Sequence, residues 1–130
     1  MQEMNDIFLH SELTGEVIHC AQTVYQTLGF GFLEKVYHNA MVLQLGKSGL
    51  EVESEKQICV YYDSEIVGEY VADIVVANKV IVEVKAVQAL HPAHEVQLVN
   101  YLKATDIDVC LLLNFGKTLG IRRRIFQTAR

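Results

Sequence analysis

Hydrophobic residues recur at helical spacing through the first third of the chain. From Leu13 to Leu28 they fall three and four residues apart, which predicts an amphipathic helix. Ser11 is the predicted N-cap of this helix, and Gly29 is its predicted stop. The same spacing predicts a second helix from Phe32 to Lys47, which Ser48-Gly49 ends.

The apolar pattern then changes to alternate positions, which is typical of strands. Strands are predicted at Ile58–Tyr62, at Ile66–Val76 and at Val80–Lys85. Asp63-Ser64 forms the turn between the first two, and Ala77-Asn78-Lys79 is short enough to make the last two a hairpin. The third strand is apolar on both faces at its start, so we expect it inside the sheet.

A third helix and two more strands complete the pattern. The helix is predicted to open at His91-Pro92 and to run to about Ala104. The almost continuous apolar run Asp106–Leu113 is typical of a buried strand, and Gly120–Phe126 is the last strand, after a turn at Asn114-Phe115-Gly116. A helical crossover between two strands predicts a parallel pair, so we expect an α/β fold with a mixed sheet.

Composition supports one folded domain over residues 1–130, with its core at about 13–126. Of the 130 residues, 51% are hydrophobic and 21% charged, which argues against disorder. No apolar run approaches the roughly 20 residues that span a bilayer, and Met1–Asp6 lack the features of a secretory signal. Cys20, Cys59 and Cys110 are too far apart for a zinc site, so we expect buried thiols in a reducing cytoplasm.

Three charged residues interrupt the apolar strands. Glu83 and Lys85 lie two apart near the end of one strand and therefore leave it on the same face, and Asp73 interrupts the preceding strand. Two carboxylates beside a lysine offer oxygen ligands to Mg²⁺ or Mn²⁺ and a cation to a phosphate. Taken alone, the same residues also fit an ordinary solvated strand end with a salt bridge.

Polar residues on two helices extend this constellation. His94, Gln97 and Tyr101 share a face of the third helix, and Glu34 shares the apolar face of the second helix with Tyr37. The alternatives are a polar patch at a helix–sheet boundary and an acid favoured by the dipole of the first helical turn.

Several motifs together resemble a known family. They comprise Gly31-Phe32-Leu33-Glu34-Lys35-Val36-Tyr37, Asp73, Glu83-Val84-Lys85, His91 to Leu102, Asn114-Phe115-Gly116 and Gly120-Ile121-Arg122-Arg123. The chain resembles the GxxExxY protein family from about Leu13 to Phe126. Such proteins are similar to the RecB-like branch of the PD-(D/E)XK nuclease superfamily, whose Q-x-x-x-Y helix matches Gln97 and Tyr101. The resemblance implies a restriction-endonuclease-like core of αβββαβ order, with helices flanking a central mixed sheet.

The resemblance also implies roles. Asp73, Glu83 and the Val84 carbonyl would bind Mg²⁺ or Mn²⁺, and Lys85 would be the catalytic lysine. Glu34 would reach the site from its helix. The site-lining or substrate-binding residues would be Gln97, Tyr101, His94 and Tyr37. The family's proline before the first acid is Ala72 here.

The implied activity is metal-dependent hydrolysis of phosphodiester bonds in DNA. The net charge of −5 disfavours tight nucleic-acid binding, but Arg122, Arg123 and Arg124 offer phosphate contacts unless they merely protect an edge strand. The main alternative is a catalytically silent module that binds nucleic acid or a protein. A carboxylate-pair hydrolase such as a glycosidase would leave Lys85 and Gln97 without roles. Whether the chain forms a homodimer or has a protein partner stays open, and no membrane partner is expected.

The hairpin register tests the shared metal site. A two-residue loop would place Asp73 and Glu83 on opposite faces of the sheet. A three-residue loop at Ala77-Asn78-Lys79 pairs Val76 with Val80 and puts both acids on one face. We therefore predict an odd-length loop, or a bulge of equal effect, with Asn78 in the left-handed region.

Overall fold

A computed structural model describes residues 10–126 of the protein. Met1–Asp6, for which no secretory signal is predicted, lie outside these residues. The elements are α1 (Ser11–Leu28), α2 (Glu34–Lys47), β1 (Val52–Tyr62), β2 (Glu65–Val76), β3 (Val80–Lys85), α3 (Pro92–Leu102), β4 (Val109–Phe115) and β5 (Leu119–Ile125). None of the helices between residues 10 and 126 is long and apolar enough to cross a membrane.

The element order matches the sequence prediction, and several boundaries differ. The N-cap of α1 is His10, with φ 53°, so the predicted cap Ser11 is wrong and Ser11 is the first helical residue. Gly29 ends α1 with φ 69°, as predicted. The predicted turn at Asn114-Phe115-Gly116 starts too early, because Asn114 and Phe115 still belong to β4.

The five strands form one sheet in the order β1-β2-β3-β4-β5. Neighbouring strands are antiparallel except for β3 and β4, which are parallel and joined through α3, so the predicted mixed sheet is confirmed. β1 begins at Val52, six residues before the prediction. Its first half, Glu53 to Gln57, is polar because β1 is an edge strand whose side chains meet water.

Hydrophobic side chains fill both faces of the sheet. On one face α1 and α2 cover Ile74, Val82, Leu111 and their neighbours. On the other, Leu98 and Leu102 of α3 pack with residues that alternate with those, such as Ile81 and Leu112. Cys20 and Cys110 are buried as predicted, Cys59 is half-buried, and all three are free thiols.

The β2–β3 hairpin has the predicted register. Val76 pairs with Val80, and the loop between them is Ala77-Asn78-Lys79. Asn78 has φ 54° as predicted, and Ala77, at φ 53°, also adopts the left-handed conformation. Asp73 and Glu83 are the next residues beyond the last pair, Ile74 with Val82, and both line the same cleft, as their predicted placement on one face requires.

β1 and β2 continue beyond their pairing with β3 as a two-stranded ribbon. At Asp73 the side chains of β2 change the face of the sheet to which they point. The β2–β3 pairing runs from Val76–Val80 only to Ile74–Val82. Ile74 packs beneath α1 and α2, whereas Ala72, two residues earlier, packs with the α3 cluster. Alternate residues of a regular strand share one face, so the strand twists sharply between them.

Candidate active site

Asp73 and Glu83 fasten β2 to β3 at the point where the two strands separate. The Asp73 N–H donates to Glu83 Oε2 at 3.2 Å, and the Val84 N–H donates to Asp73 Oδ2 at 2.8 Å. Two carboxylates thus take over main-chain hydrogen bonds where the ladder stops. Main-chain N–H groups therefore hold both carboxylates in position.

The strand pairing next to Asp73 is interrupted toward β1 as well as toward β3. The β1–β2 ladder passes from Ser54–Ile74 to Lys56–Ala72, and the intervening Glu55 has φ 55°. At this irregularity the Asp73 N–H donates to Glu83. In an extended strand the N–H and C=O of one residue point to the same side, so the Val84 carbonyl is directed toward Asp73 like its N–H.

Glu83 is almost completely buried. The residue is only 7% exposed. Its Oε1 is buried and has no hydrogen-bond partner within residues 10–126. Burial raises the pKa of Glu83 to about 7, although the Asp73 N–H and the Lys85 charge oppose the rise and the Glu34 charge adds to it. An unpaired buried carboxylate oxygen is costly unless it carries a proton or meets a cation.

An open cleft of about 230 Å³ lies over these residues, beneath α3. Its lining includes Glu34, Asp73, Glu83, Lys85, His94, Gln97, Tyr101, Tyr70, Val71, Leu98 and Leu112. The structure therefore brings together seven of the residues singled out in the sequence. Glu34 reaches the cleft from the first turn of α2, whereas the others come from the sheet and α3.

Aromatic and imidazole side chains form the α3 side of the cleft. The rings of Tyr70 and Tyr101 are stacked, with centroids 3.7 Å apart and planes 5° from parallel. This contact ties the ribbon to α3. His94 Nδ1 accepts the His91 N–H at 3.4 Å as part of the cap that starts α3.

The prediction that Tyr37 lines the site is wrong. Tyr37 is fully buried and stacks on Phe115 with ring centroids 4.6 Å apart. Its hydroxyl donates to the Gly29 carbonyl at 2.7 Å and accepts the Phe32 N–H at 3.3 Å. Glu34, a turn earlier on α2, is exposed, whereas Tyr37 faces the core and holds the loop that leads to Glu34.

The arginines of β5 lie outside the cleft. Arg122 and Arg124 both form ion pairs with Glu95 of α3, at 3.4 Å and 2.9 Å. Arg123 alternates with them and points to the other face of the strand. β5 is an edge strand, and the phosphate contacts of all three arginines stay a prediction.

Asn114 supports the site in a way that the sequence did not reveal. This buried amide accepts the Val87 N–H and donates to the Val87 carbonyl, both at 2.9 Å. Gly116 lies against the same carbonyl, where a Cβ would come within 3.0 Å of it. The β3–α3 segment that follows Lys85 is thereby clamped to β4. In the sequence, the signal for this contact is an asparagine at the end of an otherwise apolar strand.

The oxygen atoms around Glu83 fit a hard divalent cation. In residues 10–126, no group of three or more His, Cys, Asp or Glu side chains forms a metal cage. Mg²⁺ does not require one, since it usually keeps several waters and takes one or two carboxylates. Asp73, the orphaned Glu83 Oε1 and the Val84 carbonyl supply that kind of donor set.

Comparison with known proteins identifies the architecture. The family model of the PD-(D/E)XK nuclease superfamily matches residues 11–125, which span every element from α1 to β5. No curated protein and no solved structure matches the chain. The five-stranded mixed sheet with flanking helices agrees with the restriction-endonuclease-like fold implied by the resemblance. Membership of the GxxExxY family and of the RecB-like branch stays a prediction.

Proposed function

The chain belongs to the PD-(D/E)XK nuclease superfamily, and we propose on this premise that it is a Mg²⁺- or Mn²⁺-dependent nuclease that hydrolyses phosphodiester bonds of DNA. The observation that carries the proposal is the pairing of Asp73 with Glu83. Each carboxylate is oriented by a main-chain N–H, and Glu83 keeps one buried oxygen without a partner. Lys85 lines the same cleft.

The metal-binding residues of the proposal are Asp73, Glu83 and the Val84 carbonyl. The chemistry that a bound divalent cation supplies is Lewis acidity toward the scissile phosphate and toward a water molecule. Burial works in favour of such binding, because a cation relieves the cost of an ionised Glu83 that has no other partner for Oε1. The protein contributes carboxylate groups that main-chain N–H groups already hold in position.

Lys85 and Glu34 have different proposed roles. Lys85 presents an ammonium to a phosphate oxygen, where it stabilises the negative charge that develops in the transition state and positions the attacking water. Glu34 lines the cleft from the exposed first turn of α2, where its carboxylate accepts a hydrogen bond from that water. Gln97 and Tyr101 line the α3 side and contact the nucleic acid.

Cleavage of single-stranded DNA in Mn²⁺ tests this function, with plasmid and linear duplex DNA as parallel substrates. We expect the wild type to cleave and Lys85→Ala to be inactive, because the variant loses the ammonium group that Lys85 presents in the cleft. Lys79→Ala is the matched control, since Lys79 is an exposed lysine at the other end of β3. We expect it to retain wild-type activity. Asp73→Ala and Glu83→Ala are likewise expected to abolish cleavage.

A silent nuclease-like module is the alternative. It is favoured if the wild type cleaves neither DNA nor RNA in Mg²⁺ or Mn²⁺, while binding of nucleic acid or of a protein persists. Retention of all three of Asp73, Glu83 and Lys85 in one cleft supports the enzyme instead. An RNA arm of the same assay decides between the two nucleic acids.

A further inference from the structure

We infer that the substrate of the cleft is an unpaired nucleic-acid strand whose bases stack on an apolar rim formed by Phe30, Phe32 and Leu33. This inference rests on the proposed nuclease function and adds the substrate class to it. The rim is the loop between α1 and α2, which ends at Glu34, a residue of the cleft lining.

The rim is apolar and turned to solvent. Phe30 is 59% exposed, Phe32 is 48% exposed and Leu33 is 80% exposed. Leu33 directly precedes Glu34, so the rim and the cleft adjoin along the chain. Val71, which lines the cleft from β2, is also half exposed, at 52%.

This loop is held in place and is not merely a loose end. Gly29 and Gly31 have φ of 69° and 107°, a conformation that favours glycine. The Gly29 N–H donates to the Tyr25 carbonyl at 2.8 Å. The Tyr37 hydroxyl holds both ends of the loop, through the Gly29 carbonyl and the Phe32 N–H. A firmly held loop presents its aromatic rings at low entropic cost to a ligand that stacks on them.

Charge near the cleft disfavours a duplex. Lys85 is the only Lys or Arg among the described residues that line the cleft, which also holds the carboxylates of Glu34, Asp73 and Glu83. Lys35, next to Glu34, is paired with Glu55 at 2.8 Å. Duplex binding draws most of its affinity from many Lys and Arg contacts with phosphates. Single-strand binding gains much of its affinity from base stacking on exposed rings.

Continuity with the cleft selects nucleic acid over a protein partner as the occupant. Among the other exposed apolar residues, Leu43 lies on the far half of α2 and Tyr62 at the tip of the β1–β2 ribbon. The rim differs from them because the next residue along the chain belongs to the cleft in which the backbone would be cut. In the proposed arrangement the strand has a phosphate near Lys85 and neighbouring bases on the rim.

Fluorescence anisotropy tests the inference without relying on cleavage. The probes are a labelled 20-nucleotide DNA strand of mixed sequence and its blunt duplex, with the protein in Ca²⁺. The rim variant is Phe30→Ser with Leu33→Ser, which spares Phe32 because its ring contacts Tyr37 edge-on. The matched control is Leu43→Ser with Tyr62→Ser, which also removes one exposed aromatic residue and one exposed leucine.

We expect the wild type and the control to bind the strand about tenfold more tightly than the duplex, and the rim variant to lose about tenfold or more in strand affinity. Equal or tighter duplex binding, or unchanged strand binding by the rim variant, would overturn the inference. A rim variant that only converts a dimer to a monomer in light scattering would also overturn it, in favour of a contact between copies. Strand binding without cleavage in Mn²⁺ would reject the nuclease but support the rim as a strand-binding surface.

Discussion

Asp73 and Glu83 are bound to each other's strands: the Glu83 carboxylate accepts the Asp73 N–H, and the Asp73 carboxylate accepts the Val84 N–H. The two acids are therefore part of the sheet's hydrogen bonding as well as of the cleft. Alanine at position 73 would leave the Val84 N–H without its acceptor, whereas asparagine keeps an oxygen there. Amide variants thus separate chemistry from folding better than alanine does.

The stability of the metal-free protein should fall as the pH rises from about 4.5 to about 7. Burial raises the pKa of Glu83 to about 7 in the fold, against 4.5 as its ordinary value. In this window the folded chain holds a proton that the unfolded chain has released, so the free energy of unfolding decreases with pH, by up to about 3 kcal/mol. Urea denaturation in EDTA across this range measures it.

Glu83→Gln should flatten this pH dependence, because the amide has no proton to lose. Glu69→Gln is the matched control, since Glu69 is an exposed acid on the neighbouring strand β2. It should leave the slope as in the wild type. A pH profile that Glu83→Gln leaves unchanged would contradict the assigned burial of this carboxylate.

Tyr37→Phe should weaken both stability and activity while the ring stays packed on Phe115. The variant removes the hydroxyl that joins the Gly29 carbonyl to the Phe32 N–H. We expect a loss of about 1–3 kcal/mol in the free energy of unfolding, together with slower cleavage, because the loop that positions Glu34 is released. Tyr62→Phe, at an exposed tyrosine, should change neither quantity. Wild-type cleavage by Tyr37→Phe would show that the loop needs no such anchor.

Glu95→Gln should tighten nucleic-acid binding. Glu95 pairs with both Arg122 and Arg124, and these exposed ion pairs contribute little to stability. Removing its charge frees two arginines for phosphates. The salt dependence of binding should therefore steepen by roughly one unit of slope per freed arginine. If affinity and slope stay at wild-type values, the β5 arginines do not contact the ligand.

Much of the fold could be predicted because its periodicities are strong. The boundaries of β3 follow directly from an apolar run closed by Glu83 and Lys85, and the predicted three-residue loop gave the Val76–Val80 pairing that the structure has. The first half of β1 could not be predicted, since an edge strand with solvent on its side chains shows no apolar alternation. His10 as the cap of α1 depends on a left-handed backbone angle that no residue pattern signals.

Side-chain roles were harder to predict than positions. Tyr37 shares a helix face with Glu34, but the first turn of α2 is exposed and the next turn is buried, which the spacing alone does not reveal. The Asp73 and Glu83 carboxylates accept main-chain hydrogen bonds across the two strands because β2 and β3 separate at this point. The tertiary structure determines where they separate. The capture of Arg122 and Arg124 by Glu95 joins residues far apart in sequence.

Calorimetric titration of Mn²⁺ at pH 8, where Glu83 is ionised, tests the central claim that Asp73 and Glu83 form one metal site. The wild type and Glu69→Gln should each bind Mn²⁺ at this site with equal affinity. Asp73→Asn, which retains an acceptor for the Val84 N–H, should lose about tenfold or more in affinity. Mn²⁺ binding by Asp73→Asn that equals the wild type would contradict the account.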